Sequence, residues 1–226
     1  MPRGRRFIPP NEAALHITTR GNNRNYLFAN DEDKIYYLHA LKQLKEENKI
    51  DIFHYCLMDN HAHMVAWLRA GHTLSKCIKQ LNLKYFNYYK KTYGYTGCLW
   101  QRRFKSNLID TDTYLLQCGK YIELNPVRAG IISLPEKYRF SSYGYYACGK
   151  PDMLITPNPA YIDLSLFEKK RRELYIKFVI DHSIINSRSL QAQLFIGSES
   201  FVRDLEECHK IKNTGLKRGR PKKTEK

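Results

Sequence analysis

Apolar and β-favouring residues fill DIFHYCLM and HAHMVAWL on either side of Asp59-Asn60, a turn-forming pair. Asp51 to Leu68 therefore reads as two β-strands joined in a hairpin. Upstream, AALHITT alternates well enough to be a strand from Ala14 to Thr19, and it runs into Arg20-Gly21-Asn22-Asn23-Arg24, whose Gly and Asn residues suit a tight turn. Asn30 can cap a helix in which Ile35, Leu38, Leu41 and Leu44 recur at near-helical spacing to about Asn48. Its acidic first turn, Asp31 to Asp33, matches the positive end of the helix dipole. After Gly71, Thr73 can cap a long helix to about Lys91 with Leu74, Ile78, Leu81, Tyr85 and Tyr88 on one stripe and Lys76, Lys79, Lys84 and Lys90 on the other face. Leu99 to Ile109, LWQRRFKSNLI, reads as a strand, and a third helix is expected from a Thr111 cap to Pro126.

The order β, α, β, β, α, β, α fits the ferredoxin-like βαββαβ plan, an α+β fold with an antiparallel sheet and helices on one face, plus one added helix. The first and third strands are central in that plan. From about Ser133 the pattern breaks up into a proline-containing connector and two shorter helical segments, about Leu164 to Asp181 and Ser198 to Lys210, separated by a polar stretch around Ile185 to Gln193. This suggests a domain over residues 1–147, a helical C-terminal extension over 148–215 and a basic tail over 216–226. KRGRPKKTEK, at the end, holds six cations and one carboxylate and is expected to stay disordered when free.

Charge sharpens the picture. The 226 residues include 38 Lys and Arg against 22 Asp and Glu, a net charge of +16, which points to a polyanion such as nucleic acid as the partner. No run of 18 apolar residues and no signal-peptide core is present, so the reading is a soluble cytoplasmic protein with no membrane partner. Six scattered cysteines form no CxxC pair and read as reduced packing residues rather than a zinc module or disulfide framework.

Two groups of residues carry candidate chemistry. His61 and His63 alternate with Ala62 in the second hairpin strand, so both imidazoles point to one face, about 7 Å apart along the chain, where they can grip one metal ion. Tyr114, Cys118, Tyr121 and Asn125 are spaced 4, 3 and 4 along one helical face. If that helix crosses the open face of the sheet, Tyr121 and Asn125 can approach the histidines; the competing reading makes the stripe ordinary buried packing.

Taken together, His-hydrophobe-His, the later tyrosine, the asparagine four residues on and the basic charge resemble the HUH single-tyrosine transposases. The segments HITTRGNNR, YCLMDNHAHM, WQRRFKS and YIELNPVRAG resemble one branch of that class, the REP-associated tyrosine transposases, relatives of the IS200-like transposases. The similarity covers about residues 10 to 147. It implies a transposase or nickase that cleaves and rejoins single-stranded DNA at hairpin-forming palindromic repeats through a 5′-phosphotyrosine intermediate. Tyr121 would be the nucleophile, His61 and His63 metal ligands, and Asn125 a third ligand, where insertion-sequence members usually have the longer Gln. The implied cofactor is Mg²⁺ or Mn²⁺, the implied partner single-stranded or hairpin DNA in a bacterial, nucleoid-associated setting, and the implied state a monomer or homodimer.

Candidates for DNA contact are Arg20, Asn22, Asn23 and Arg24 in the first turn and Gln101, Arg102, Arg103, Phe104 and Lys105 in the fourth strand. Arg can read guanine and Asn adenine edges bidentately, while the other cations would hold phosphates. Arg218-Gly219-Arg220-Pro221 has the look of an AT-hook core reading a minor groove, against a plain basic tail. The competing function is a non-catalytic single-stranded nucleic-acid-binding or repressor module on the same sheet, although no G-F-V-x-F run of the RRM kind appears.

Overall fold

The computed structural model describes residues 10, 12–47, 49–110, 113–181 and 193–213. Its centre is a five-stranded sheet in the order β2-β3-β1-β4-β5. The strands are β1 Ala13–Arg20, β2 Ile50–Met58, β3 His61–Leu68, β4 Lys105–Ile109 and β5 Phe195–Ile196. The first four pair antiparallel, with β3 and β1 central as the ferredoxin-like plan requires, and β5 extends the far edge parallel to β4.

Period-two alternation sorts the strand residues onto two faces. Leu15, Ile17, Leu57, Ala62 and Met64 meet Leu41 and Leu44 of α1 (Asp31–Glu46) and Ile78 and Leu81 of α2 (Leu74–Tyr93) in one apolar cluster. Ala14, Cys56, Met58 and Val65 face the opposite way and meet Leu115, Cys118, Tyr121 and Ile122 of α3 (Thr113–Glu123). α1 begins as the sequence suggests: the Asn30 side chain accepts a hydrogen bond from the Asp33 amide at 3.0 Å, a cap that contributes about 1 kcal/mol in typical helices. Lys34 of α1 reaches Asp59 in the hairpin turn at 2.7 Å, fixing the helix against the end of the sheet that carries His61.

One irregularity changes which side chains reach α3. The β2–β3 register shifts between Ile52 and His54, so Ile50 and Ile52 belong to the α1/α2 face while Phe53, Cys56 and Met58 belong to the α3 face. This β-bulge re-aims His54 toward α3, where a regular strand would have turned it to the apolar side.

Beyond α3, a four-residue helix α4 (Asn125–Arg128) leads to α5 (Tyr143–Cys148), α6 (Pro159–Ile162), α7 (Glu168–Ile180) and, after β5, α8 (Glu199–His209). This chain beyond α3 closes the free edge of β2, with Cys56 bridged to Ser141 and Ile52 to Ile155. Its Tyr146, Tyr161, Tyr175 and Phe195 join the same buried cluster as the strands. An unprotected sheet edge is thereby covered.

Three boundaries differ from the sequence reading. The fourth strand is only Lys105–Ile109, because Arg102 adopts a left-handed φ of 64° that interrupts the extended chain. The third helix stops at Glu123, and Pro126, expected to end it, instead sits in the first turn of α4, where its missing amide costs nothing. The connector contains the helices α5 and α6, which its prolines and serines had concealed. The Thr111 cap, most of the polar stretch 185–193 and the tail 216–226 lie outside the described residues.

Candidate active site

On the α3 face, the two central strands turn polar toward the end that carries His61. His16 and Thr18 of β1 stand there beside His61 and His63 of β3, and the register pairs Thr18 with His63 and Arg20 with His61. His63 Nδ1 lies 3.0 Å from His16 Nε2 and 3.1 Å from Thr18 Oγ1. The His16 and His63 rings stack with centroids 5.2 Å apart and an interplanar angle of 14°. The His61 ring stands 4.9 Å from that of His63 at 82°, and its Nδ1 contacts Asn60 Oδ1.

Burial governs the charge state of this cluster. It lowers His16 to about 4 and His61 also to about 4, the nearby Arg20 guanidinium adding to the effect at His61. His63 is pushed well below the ordinary imidazole range by burial first, then by His61, His16 and Arg20. All three rings are thus neutral at physiological pH. A proton on Nδ1, shared toward Thr18 and His16, would leave His63 a lone pair on Nε2, and a proton on His61 Nδ1 toward Asn60 would do the same there.

α3 brings Tyr121 to this cluster. Its ring meets His63 edge-on at 6.2 Å and 89°, and His16 at 6.1 Å and 79°. Tyr121 is 3 % exposed and His63 2 %, so the phenol is sandwiched between sheet and helix. The Arg128 guanidinium caps the ring at 4.8 Å from its centroid and donates to the Tyr121 carbonyl oxygen at 3.0 Å. A guanidinium so placed is attracted to the face of the ring. Asn125 opens α4, and its side-chain nitrogen is buried without a hydrogen-bond partner among the described residues.

Among the described residues no three His, Cys, Asp or Glu side chains form a metal-holding cluster. The groups that could hold a divalent ion here are the His61 and His63 imidazoles, whose ring centroids are 4.9 Å apart. A site so poor in protein ligands leaves most positions to water and phosphate oxygen, which suits hard cations.

Both segments named for DNA contact converge at the same end of the sheet. Gly21 bridges to Trp100, the Asn22 amide donates to Leu99 O at 2.8 Å, and the Gln101 amide donates to Arg20 O at 2.7 Å. Arg20 lies opposite His61, and Gln101, Arg102, Arg103 and Lys105 are exposed with Phe104 half-buried. Asn23 and Arg24 both take left-handed backbone conformations, φ 49° and 62°. Asn22 and Arg24, with Tyr26, Asn60, Tyr89 and Tyr95, line a cavity of about 410 Å³. Arg218 and Arg220 lie outside the described residues.

Sequence reasoning did not single out His16, Thr18 or Arg128. His16 and Thr18 share strand parity with Arg20, which is a local signal, but only the β1–β3 register shows that they back His63. Arg128 stands seven residues after Tyr121, two helical turns, although the break at Leu124 hides that spacing.

The family model described as "Transposase IS200 like" matches residues 11–125. A curated Haemophilus influenzae protein, provisionally named a REP-associated tyrosine transposase, is 32% identical over 109 residues, covering 47% of this chain and 53% of its own length. The chain thus spans about half the length of that relative. Among solved structures, one described as a REP-associated tyrosine transposase bound to a REP hairpin aligns with a TM-score of 0.55 at 18% identity, over 69% of this chain and 92% of its own. This likeness establishes a shared fold.

Proposed function

Because the chain belongs to the IS200-like transposase family, whose model spans β1 to β4 and the helix that bears Tyr121, we propose that it cuts and rejoins single-stranded DNA through Tyr121. The observation that carries the reading is the meeting of Tyr121 on α3 with His63 on β3, ring centroids 6.2 Å apart, on the strand face shared with His61.

In the forward step the Tyr121 phenol oxygen bonds to phosphorus while the P–O3′ bond breaks. The phenol loses its proton, the departing 3′ oxygen gains one, and a 5′-phosphotyrosine remains. Tyrosine is a poor nucleophile near its ordinary pKa of about 10, so it needs a cation close by; Arg128 over the ring supplies one. A divalent ion, when bound by His61 and His63, would polarise the phosphate and neutralise charge developing on it. His16 and Thr18 hold the His63 ring through its Nδ1, which leaves Nε2 for such an ion. Because the covalent link preserves the phosphoester energy, a 3′-hydroxyl can attack it and release Tyr121 unchanged, which is what strand transfer requires.

The substrate class follows from the surface at the same end of the sheet. Arg20, Arg24, Arg102, Arg103 and Lys105 suit a phosphate backbone, and the cavity beside them offers tyrosine rings for stacking an unpaired base and asparagine amides for its edge. A hairpin with a single-stranded flank combines both demands, matching in chemistry the REP hairpin bound by the structural relative.

The test is to incubate the protein with a single-stranded hairpin oligonucleotide and Mn²⁺ and resolve the products under denaturing conditions. A covalent protein–DNA band is expected, absent in EDTA and absent in Tyr121→Phe. Undiminished binding in EDTA with no covalent band under any divalent metal would favour the non-catalytic binding module instead.

A further inference from the structure

A second polar cluster lies on the opposite flank of α3, and the reaction just described makes no use of it. His54 and Glu123 are both fully buried, and His54 Nδ1 meets Glu123 Oε1 at 2.9 Å. The remaining bonds fix each group. The Asn158 side-chain Oδ1 accepts from the Ala160 amide at 3.0 Å, which turns its NH₂ toward His54 Nε2 at 2.8 Å. His54 Nε2 must then accept, so Nδ1 carries the proton and donates to Glu123. The Ser142 hydroxyl also donates to Glu123 Oε1, and the Tyr175 hydroxyl donates to Oε2 at 2.7 Å. Each carboxylate oxygen is satisfied by donors drawn from β2, the residue before α5, and α7.

Gly119, one turn before Glu123, completes the contact. A Cβ at Gly119 would stand 2.5 to 2.7 Å from three atoms of the His54 ring. α3 is therefore held on His54 at two successive turns, by bare backbone at Gly119 and by the carboxylate at Glu123. At about 100° per residue, Tyr121 lies on the far side of the helix from Gly119 and Glu123, with Cys118 and Ile122 turned to the sheet between them. A roll of α3 that loosened the His54 contact would swing Tyr121 relative to His16 and His63.

We propose that the His54-Glu123 pair, closed by Ser142, Asn158 and Tyr175, is a positioning device that sets the roll of α3 and so aims the Tyr121 phenol. His54 and Glu123 are positioning residues, acting through Tyr121, and the proposal rests on the reading of Tyr121 as nucleophile. The chain after α3 thereby takes part in the reaction geometry from a distance: Ser142 and Tyr175 hold the carboxylate two residues from the attacking tyrosine, and Asn158 holds the His54 ring that meets it. The β2 bulge has its use here as well, since it alone turns His54 to this face. Misplacing a reacting group by about 1 Å can cost on the order of 100-fold in rate.

The experiment uses the full chain with Glu123→Gln, and with Tyr175→Phe, which removes one hydroxyl and leaves the ring to pack. Two quantities are read: the single-turnover rate of covalent adduct formation on a hairpin oligonucleotide with Mn²⁺, and the affinity for that oligonucleotide in EDTA. The expected result is a rate lowered about 10- to 100-fold in Glu123→Gln and less in Tyr175→Phe, with affinity unchanged within about twofold. A fluorotyrosine placed at position 121 supplies a third readout without DNA, its ¹⁹F resonance shifting in both variants. An unchanged rate with an unmoved resonance overturns the proposal, as does a loss of affinity that matches the loss of rate, since the cluster would then only stabilise the fold. If the unsubstituted protein forms no adduct, the nucleophile reading fails, and the resonance alone decides whether the cluster sets the tyrosine.

Discussion

The two faces of the sheet are built from the same strands and spend them differently. On the α1/α2 face, Leu15, Ile17, Leu57 and Met64 present an unbroken apolar surface that two amphipathic helices cover. On the α3 face, the alternate residues of those strands are His16, Thr18, His61, His63 and, by way of the bulge, His54. The first face requires only that side chains be apolar and of the right size. The second buries imidazoles and a carboxylate, which folding tolerates only when each finds a partner. The partners come from far away in the chain: His16 for His63, Glu123 for His54, and Tyr175 for Glu123. Stability is concentrated on one face, and positional accuracy on the other.

That contrast sets an order of expected effects. Tyr121→Phe removes one oxygen from the α3 face and should abolish the covalent DNA adduct while leaving hairpin affinity nearly intact, read by denaturing gel and by anisotropy; an adduct that survives would remove Tyr121 from the mechanism. His63→Ala should lower adduct formation by at least about 100-fold, and Thr18→Val, which takes away one of the bonds to its ring, by about 10-fold, in line with typical losses on removing groups that orient a metal ligand. Excess Mn²⁺ should restore part of the Thr18→Val loss, and failure of metal to restore any would argue against an orienting role. On the opposite face Leu41→Ala should cost about 2–5 kcal/mol of unfolding free energy in a denaturant titration. Its adduct rate per folded molecule should hardly change, and a rate loss as large as that of His63→Ala would erase the distinction between the faces. The smallest effect belongs to the rim: Asn30→Ala, losing the α1 cap, should cost about 1 kcal/mol without altering the reaction.

The same contrast explains what could be read from the residues. The apolar face was legible because its signals are local: the hairpin at Asp59-Asn60, the Asn30 cap, and the stripe through Leu74, Ile78 and Leu81 all declare themselves within a few turns of chain. His61 and His63 were legible because a strand places alternate residues together whatever else happens, and Tyr121 because helical spacing and the YIELNPVRAG resemblance pointed to it. His54 was not, since its orientation depends on a bulge that no single residue announces. His16, Glu123 and Tyr175 were hidden for a related reason, as each gains meaning from a partner more than 45 positions away. β5 is two residues long and becomes a strand only because β4 offers it an edge. Pro126 misled in the other direction: proline disfavours helix in its predecessor, yet it is well accommodated where a new helix begins.

The chain after α3 occupies both regions at once. Tyr146 and Tyr161 pack with the strand core, while Ser142, Asn158 and Tyr175 close the polar cluster against α3. A segment that looked like an appendage in the sequence thus borders the sheet edge and the tyrosine helix together.

The central claim is that one phenol among 17 tyrosines is presented to a phosphate beside a pair of buried imidazoles. Its most direct test is to trap the protein on a hairpin oligonucleotide with Mn²⁺, digest the product with protease and nuclease, and locate the residual nucleotide by mass spectrometry. The account expects a 5′-phosphonucleotide on Tyr121 and on no other residue; a nucleotide carried by Tyr114 or by any tyrosine remote from His61 and His63, or cleaved DNA with no protein attached, would contradict it.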